Sequence, residues 1–164
     1  TYPLPEAQLD RFLFKLIVPF PSAEELTDIV LRTTAGAPPA LRRVADGPAI
    51  IAMGRLAREV PIARPLTDYV VRLTLATHPE ANSPEIIRRM VRYGVSPRAA
   101  QAIVTGAKIR ALTDGRLNVA FEDIRAVALP ALRHRLILTF EAEAAGKTAD
   151  DVLTALLDQL PHVG

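Results

Sequence analysis

Ser96-Pro97-Arg98 is the stretch of this chain whose residue types are best suited to chemistry. A serine hydroxyl before a proline caps a free backbone N–H, and proline suits the first helical position. A helix amino terminus carries the positive end of the macrodipole, and an arginine in its first turn adds planar donors that match phosphate oxygens. Taken alone, the tripeptide equally describes a solvated arginine behind a capped helix start, which is the commoner case. Arg11, read from its immediate neighbours, is a strand-edge arginine able to pair with Asp10 or Glu6.

Other apparent sites fail on context. Gly146-Lys147-Thr148 ends like a phosphate-binding loop, but the position of that loop's first glycine is Glu141, whose carboxylate repels phosphate. A helix stop at Gly146 followed by a helix cap at Thr148 explains these residues better. His78, His134 and His162 are far apart and lack close ligand pairs, so they read as loop or surface histidines and no metal site is expected. No Ser/His/Asp set has a hydrolase's local signature. The absence of cysteine excludes disulfides and thiolate metal sites.

The elements that must position these arginines are expected to be helices. The hydrophobic residues, 49% of the 164, are mainly Ala, Leu, Val and Ile, and Trp is absent. That balance favours packed helices, and the length suits one domain or one domain plus a tail, with a core that needs no staple. Twenty basic residues against 18 acidic ones leave a net charge of +2, too small to predict a nucleic-acid partner by itself. No apolar run approaches the roughly 20 residues needed to cross a bilayer. The first residue is not Met and no basic-then-apolar signal region follows, which suggests a piece of a longer protein.

Phe12 to Pro19 is β-branched and aromatic, ends in Pro-Phe-Pro, and reads as one strand without a nearby mate. The capping box Ser22-Ala23-Glu24-Glu25 predicts a helix to about Thr33, followed by a Pro/Gly-rich loop over Ala35–Pro48. Helices are expected over Ala49–Glu59 and from Leu66 to the His78-Pro79 break. Ser83-Pro84-Glu85 predicts a short helix ending near Gly94, with Arg88 and Arg92 on one face. The longest helix, Pro97 to about Thr113, places Ala100, Ile103, Val104, Ala107, Ile109 and Leu112 on one stripe and stops at Gly115. Further helices over Phe121–Arg133 and from Thr148 to Gln159 flank a short extended run, Leu136–Phe140.

The opening residues Thr1-Tyr2-Pro3-Leu4-Pro5-Glu6-Ala7-Gln8-Leu9-Asp10-Arg11-Phe12 closely resemble a segment of the MoxR family of AAA+ ATPases, and Gly94-Val95-Ser96-Pro97-Arg98-Ala99 resembles a second motif of that family. Leu132-Arg133-His134-Arg135-Leu136 is a moderately specific match and Asp150-Asp151-Val152 a weak one. The proline-rich Ala37–Pro48 and the helix start Val119-Ala120-Phe121-Glu122-Asp123, in place of the family's usual Thr-Pro-Asp-Asp, depart from the pattern.

The resemblance implies a mainly α fold: a helical-bundle AAA+ lid domain over 21–164, with 1–20 the trailing segment of the α/β core, including its last strand. It implies that Arg98 is the sensor 2 residue, acting in cis and contacting the nucleotide, and that Arg11 is the arginine finger, acting in trans. The whole protein would use ATP and Mg and assemble as a ring, expected to be a hexamer. It would remodel or mature client proteins in the cytoplasm, with a von Willebrand factor A domain protein as a partner. The chain contains neither P-loop nor Mg-binding acids, so alone it is expected neither to hydrolyse ATP nor to bind it tightly. The alternative is a helical adaptor or nucleic-acid-binding module using Arg88, Arg89, Arg92, Arg133 and Arg135, disfavoured by the lack of exposed-looking aromatics for stacking.

Overall fold

The computed structural model describes residues 4–36 and 40–161. Thr1–Pro3 of the opening motif, part of the proline-rich loop, and His162 lie outside them. Helices dominate: α1 (Glu6–Leu9), α2 (Ala23–Thr34), α3 (Gly47–Glu59), α4 (Arg64–Ala76), α5 (Glu85–Met90), α6 (Pro97–Thr113), α7 (Phe121–Leu132), α8 (Phe140–Ala144) and α9 (Ala149–Gln159). Two short strands, β1 (Val91–Tyr93) and β2 (Ile137–Leu138), pair antiparallel, Val91 opposite Leu138 and Tyr93 opposite Ile137, with an irregular step between.

Local chemistry sets most of the helix starts. Ser22 and Glu25 form the expected reciprocal capping box, as do Thr148 and Asp151. Ser96 caps α6, and Pro97 follows at its first position. At Gly115 and Gly146 the chain turns out of α6 and α8 with φ of +73° and +71°, a conformation that costs glycine little. Helix α3 begins earlier than expected because Asp46 supplies a cap, its carboxylate accepting from Ala49 N–H at 2.9 Å.

Helix α6 lies at the centre and packs against α7, α4 and α3, while α9 covers α5 and α7. Its buried stripe is Ala99, Ala102, Ile103, Gly106, Ala107 and Ala111. The expected stripe was shifted in part: Ala100, Val104 and Leu112 flank the core half-buried, and Ile109 faces solvent. Small residues on α6 let its neighbours approach closely, and the larger core groups Leu73, Ile87, Ile124, Leu132, Leu153 and Leu156 fill the space around them. Each such aliphatic side chain, fully buried, contributes roughly 1.5–3 kcal/mol.

Three local expectations are corrected. Phe12–Pro19 forms no strand: its backbone is extended, but its carbonyls meet arginine and histidine side chains of the α7 end instead of a ladder, and Lys15 N–H donates to the Pro130 carbonyl at 2.9 Å. Ser83 is not a cap. Its hydroxyl donates to the His78 carbonyl at 2.5 Å, and α5 opens at Pro84 without a side-chain cap. Helix α5 ends at Met90 rather than near Gly94 because Val91–Tyr93 pairs as β1, so Arg88 and Arg92 do not share a helix face.

Candidate functional site

The start of α6 is built by the residues just before it. Gly94 sits against the His78 ring; a Cβ there would lie 2.7 Å from the ring's Cγ. Val95 is buried, and its N–H donates to the Thr77 hydroxyl at 3.1 Å. Ser96 then has two tasks. Its oxygen accepts from Arg98 N–H at 3.2 Å, and its hydroxyl donates to Asp10 Oδ1 at 2.7 Å. The cap is thereby joined to a residue 86 positions earlier.

Asp10 is the hub of the site. Besides Ser96, its carboxylate accepts from Arg98 Nη1 at 3.0 Å through Oδ2 and from Arg135 Nε at 3.1 Å through Oδ1. Burial pushes the Asp10 carboxyl up, but the hydrogen bonds from Ser96, Arg98 and Arg135 outweigh it and hold the group below its ordinary 3.8. The Asp10 side chain is 17% exposed, whereas that of Arg98 is 55% exposed. Only Nη1 of Arg98 is engaged by protein among the described residues, leaving its other guanidinium donors open.

Arg135 fastens the segment from below. Its side chain is 3% exposed, and its donors reach the carbonyls of Asp10 at 3.0 Å, Phe12 at 2.7 Å, Leu13 at 3.3 Å and Ala131. Burial lowers the Arg135 pKa against the opposing pull of Asp10, but an arginine stays protonated. His134 Nε2 lies 2.9 Å from the Phe12 carbonyl, which fixes a proton on that nitrogen and leaves buried Nδ1 without a protein partner among the described residues. Burial depresses the His134 pKa below 6.5, partly offset by that bond. Arg133 links the Lys15 carbonyl at 3.1 Å to Asp150 at 2.9 Å. Phe14 is seated over Gly106 of α6, where a Cβ would lie 2.5 Å from its ring tip.

These tethers place Arg11 and Arg98 on one shallow groove of about 260 Å³, shared with Asp10, Leu13, Gln101, Ala102, Thr105 and Arg135. The Arg11 side chain is exposed and makes no ion pair among the described residues with either expected partner, Asp10 or Glu6; Asp10 is engaged by Ser96, Arg98 and Arg135. The two arginines singled out by sequence therefore lie on the same surface. Of the five arginines of the alternative patch, Arg133 and Arg135 hold the 10–15 segment, Arg89 pairs with Glu85, and Arg92 stacks on Tyr93.

Residues 83–156 match the AAA lid domain family. Across 99% of its length the chain is 38% identical to the chaperone MoxR1 of Mycobacterium tuberculosis, covering 44% of that protein. It is 34% identical to the protein YeaC of Bacillus subtilis, over 96% of this chain and 47% of that one. The crystal structure of a protein from Cytophaga hutchinsonii, described as a candidate ATPase, superimposes with a TM-score of 0.91 at 30% identity, over 99% of this chain and 50% of that one. The chain belongs to the MoxR family of AAA+ proteins. It spans about half the length of the curated relatives it matches, and it carries an AAA lid domain.

The groove presents arginine N–H groups, those of Arg11 and the open donors of Arg98, a type of donor that pairs with phosphate oxygens. It does not fit a divalent cation, since no cluster of three potential ligands occurs among the described residues. None of the described helices is long and apolar enough to cross a membrane. Asp10, Arg135 and His134 as a tethering set were missed in the sequence. The available signal was a charged Arg133-His134-Arg135 run directly after the apolar α7, where burial of an arginine demands partners.

Proposed function

We propose that this chain is the lid-bearing part of a MoxR-type ATPase, in which 1–20 trails from the nucleotide-binding core and 21–164 forms the lid. Arg98 senses the nucleotide of its own subunit as sensor 2, and Arg11 serves as the arginine finger for a neighbour in a ring, a hexamer in this reading. The supporting observation is that Arg98, at the first turn of the Ser96-capped α6, is anchored through one nitrogen and exposed through the rest. Arg11 lies on the same groove, exposed and without an ion pair among the described residues.

ATP and Mg, held by the core of the whole protein, would supply the transferable phosphoryl group. The chain's contribution is electrostatic. Arg98 offers N–H donors beside the positive end of α6, and preorganised donors of this kind stabilise charge developing on phosphoryl oxygens without reorganising as the reaction proceeds. Rigid-body movement of the lid would carry the nucleotide state to a neighbouring core. Kinship with a protein named as a chaperone supports a role in remodelling or maturing client proteins. A cytoplasmic setting and a von Willebrand factor A domain partner complete the reading.

The test is ATP turnover by the full-length protein. Arg98→Ala and Arg11→Ala are each expected to lower turnover by at least about tenfold, the scale for losing one preorganised donor. Mixing Arg11→Ala subunits with subunits whose own pocket is inactive but whose Arg11 is intact should restore turnover, since a finger acts across the interface. Unchanged turnover in both variants removes the reading, and failure of the mixture to recover removes the trans role of Arg11.

A further inference from the structure

We propose that Asp10 is a positioning residue that couples Arg98 to Arg11, so that the cis sensor and the trans finger of one subunit are set by a single carboxylate. This rests on the roles proposed above for the two arginines. Asp10 immediately precedes Arg11 in the turn after α1, and the rest of that turn is fastened by Arg135. Its carboxylate reaches 88 residues along the chain to Arg98 Nη1 at 3.0 Å and binds the hydroxyl of Ser96, the cap of the same helix.

The division of acceptors makes the arrangement more than a fastening. Oδ1 takes Ser96 and Arg135, both on the buried side, while Oδ2 takes Arg98, whose side chain is 55% exposed along the groove. Asp10 therefore fixes one edge of the Arg98 guanidinium and leaves its other donors for an anion. An unrestrained arginine side chain loses rotamer freedom on binding, and a charge-assisted anchor removes part of that loss beforehand. The same carboxylate belongs to the residue that precedes Arg11, so the contact that sets Arg98 lies in the turn that carries Arg11. A purely structural role would need only the Arg135 and Ser96 bonds; the Arg98 bond at an exposed edge adds little to folding.

Asp10→Asn in the full-length protein keeps the shape and removes the charge. We expect kcat to fall by about tenfold, with a smaller change in KM for ATP, because the anchor acts on the transition-state contact. The deciding measurement is a pair of double-mutant cycles. Added to Arg98→Ala or to Arg11→Ala, Asp10→Asn should cost clearly less than the roughly tenfold it costs alone, because one of the two arginines it positions is already gone. A full multiplicative loss in both backgrounds, the behaviour of a general structural defect, overturns the proposal, as does wild-type turnover by Asp10→Asn alone. If Asp10→Asn does not assemble, Asp10→Glu serves in the same cycles, keeping the charge and displacing it by one methylene. Should Arg98→Ala and Arg11→Ala themselves leave turnover unchanged, the reading of the arginines fails first; if they lower it and Asp10→Asn does not, only the positioning role fails.

Discussion

Gly94, which the sequence offers as the first letter of a motif and as an expected helix end, has a steric task. An added Cβ would meet three atoms of the His78 imidazole at 2.7, 2.8 and 2.9 Å, closer than packed carbon atoms come. These atoms lie along the ring rather than at its far tip, so the histidine cannot yield by a small rotation. Its Nδ1 also lies 3.3 Å from the Thr74 carbonyl. Gly94→Ala is therefore expected to destabilise the chain by about 1–3 kcal/mol, the range for overpacking, read as a lowered urea midpoint at unchanged slope. An unchanged midpoint would mean that this approach is not tight. Of the site residues, Arg98 and Ser96 were legible because a cap acts over three residues, and its letters stand together. Asp10 was not, since its partners lie 86, 88 and 125 positions away and no local pattern announces them.

Among the elements, the helices with local start signals were legible at Ser22, Ser96 and Thr148, and the ones governed by distant pairing were not. The β-branched Phe12–Pro19 run has strand composition, but strand identity needs a partner, and arginine side chains took the backbone acceptors instead. Helix α2 shows the opposite separation, with sequence and cap fully helical but no buried residue. Leu26, Ile29, Val30 and Leu31 are all exposed, and α2 shares no substantial packing with another helix. A 12-residue helix held mainly by its own hydrogen bonds is marginal in water. In the 164-residue chain, α2 amides are expected to exchange with solvent within about tenfold of unstructured rates, while those of α6 are the slowest. Hydrogen-exchange mass spectrometry measures both, and α2 protection equal to that of α6 would show that the apolar face is covered.

At the scale of the whole molecule, buried charge ties the fold to pH. Asp123, with a fully buried side chain, accepts from Arg116 at 2.6 and 2.7 Å and from Ala120 N–H at 2.8 Å. The Arg116 bonds outweigh burial and hold its carboxyl below 3.8, as the partners of Asp10 do for that group. A carboxyl whose folded pKa is depressed contributes stability that is present above its unfolded value and lost as pH falls through the folded one. His134 adds a second limb at higher pH. Burial keeps it neutral, so the unfolded chain takes up a proton first, and stability begins to fall as pH drops below 6.5. Urea unfolding followed from about pH 8 to about pH 3 should thus give a plateau, a shallow decline beginning near the ordinary histidine value, and a steep loss in the carboxylate range. His134→Gln, whose amide can still donate to the Phe12 carbonyl, should abolish the shallow limb and keep the steep one. A midpoint that stays flat through the acid range would mean that the two carboxylates are no better stabilised in the fold than in water, and the tethering of the 10–15 segment by ionic contacts would have to be abandoned.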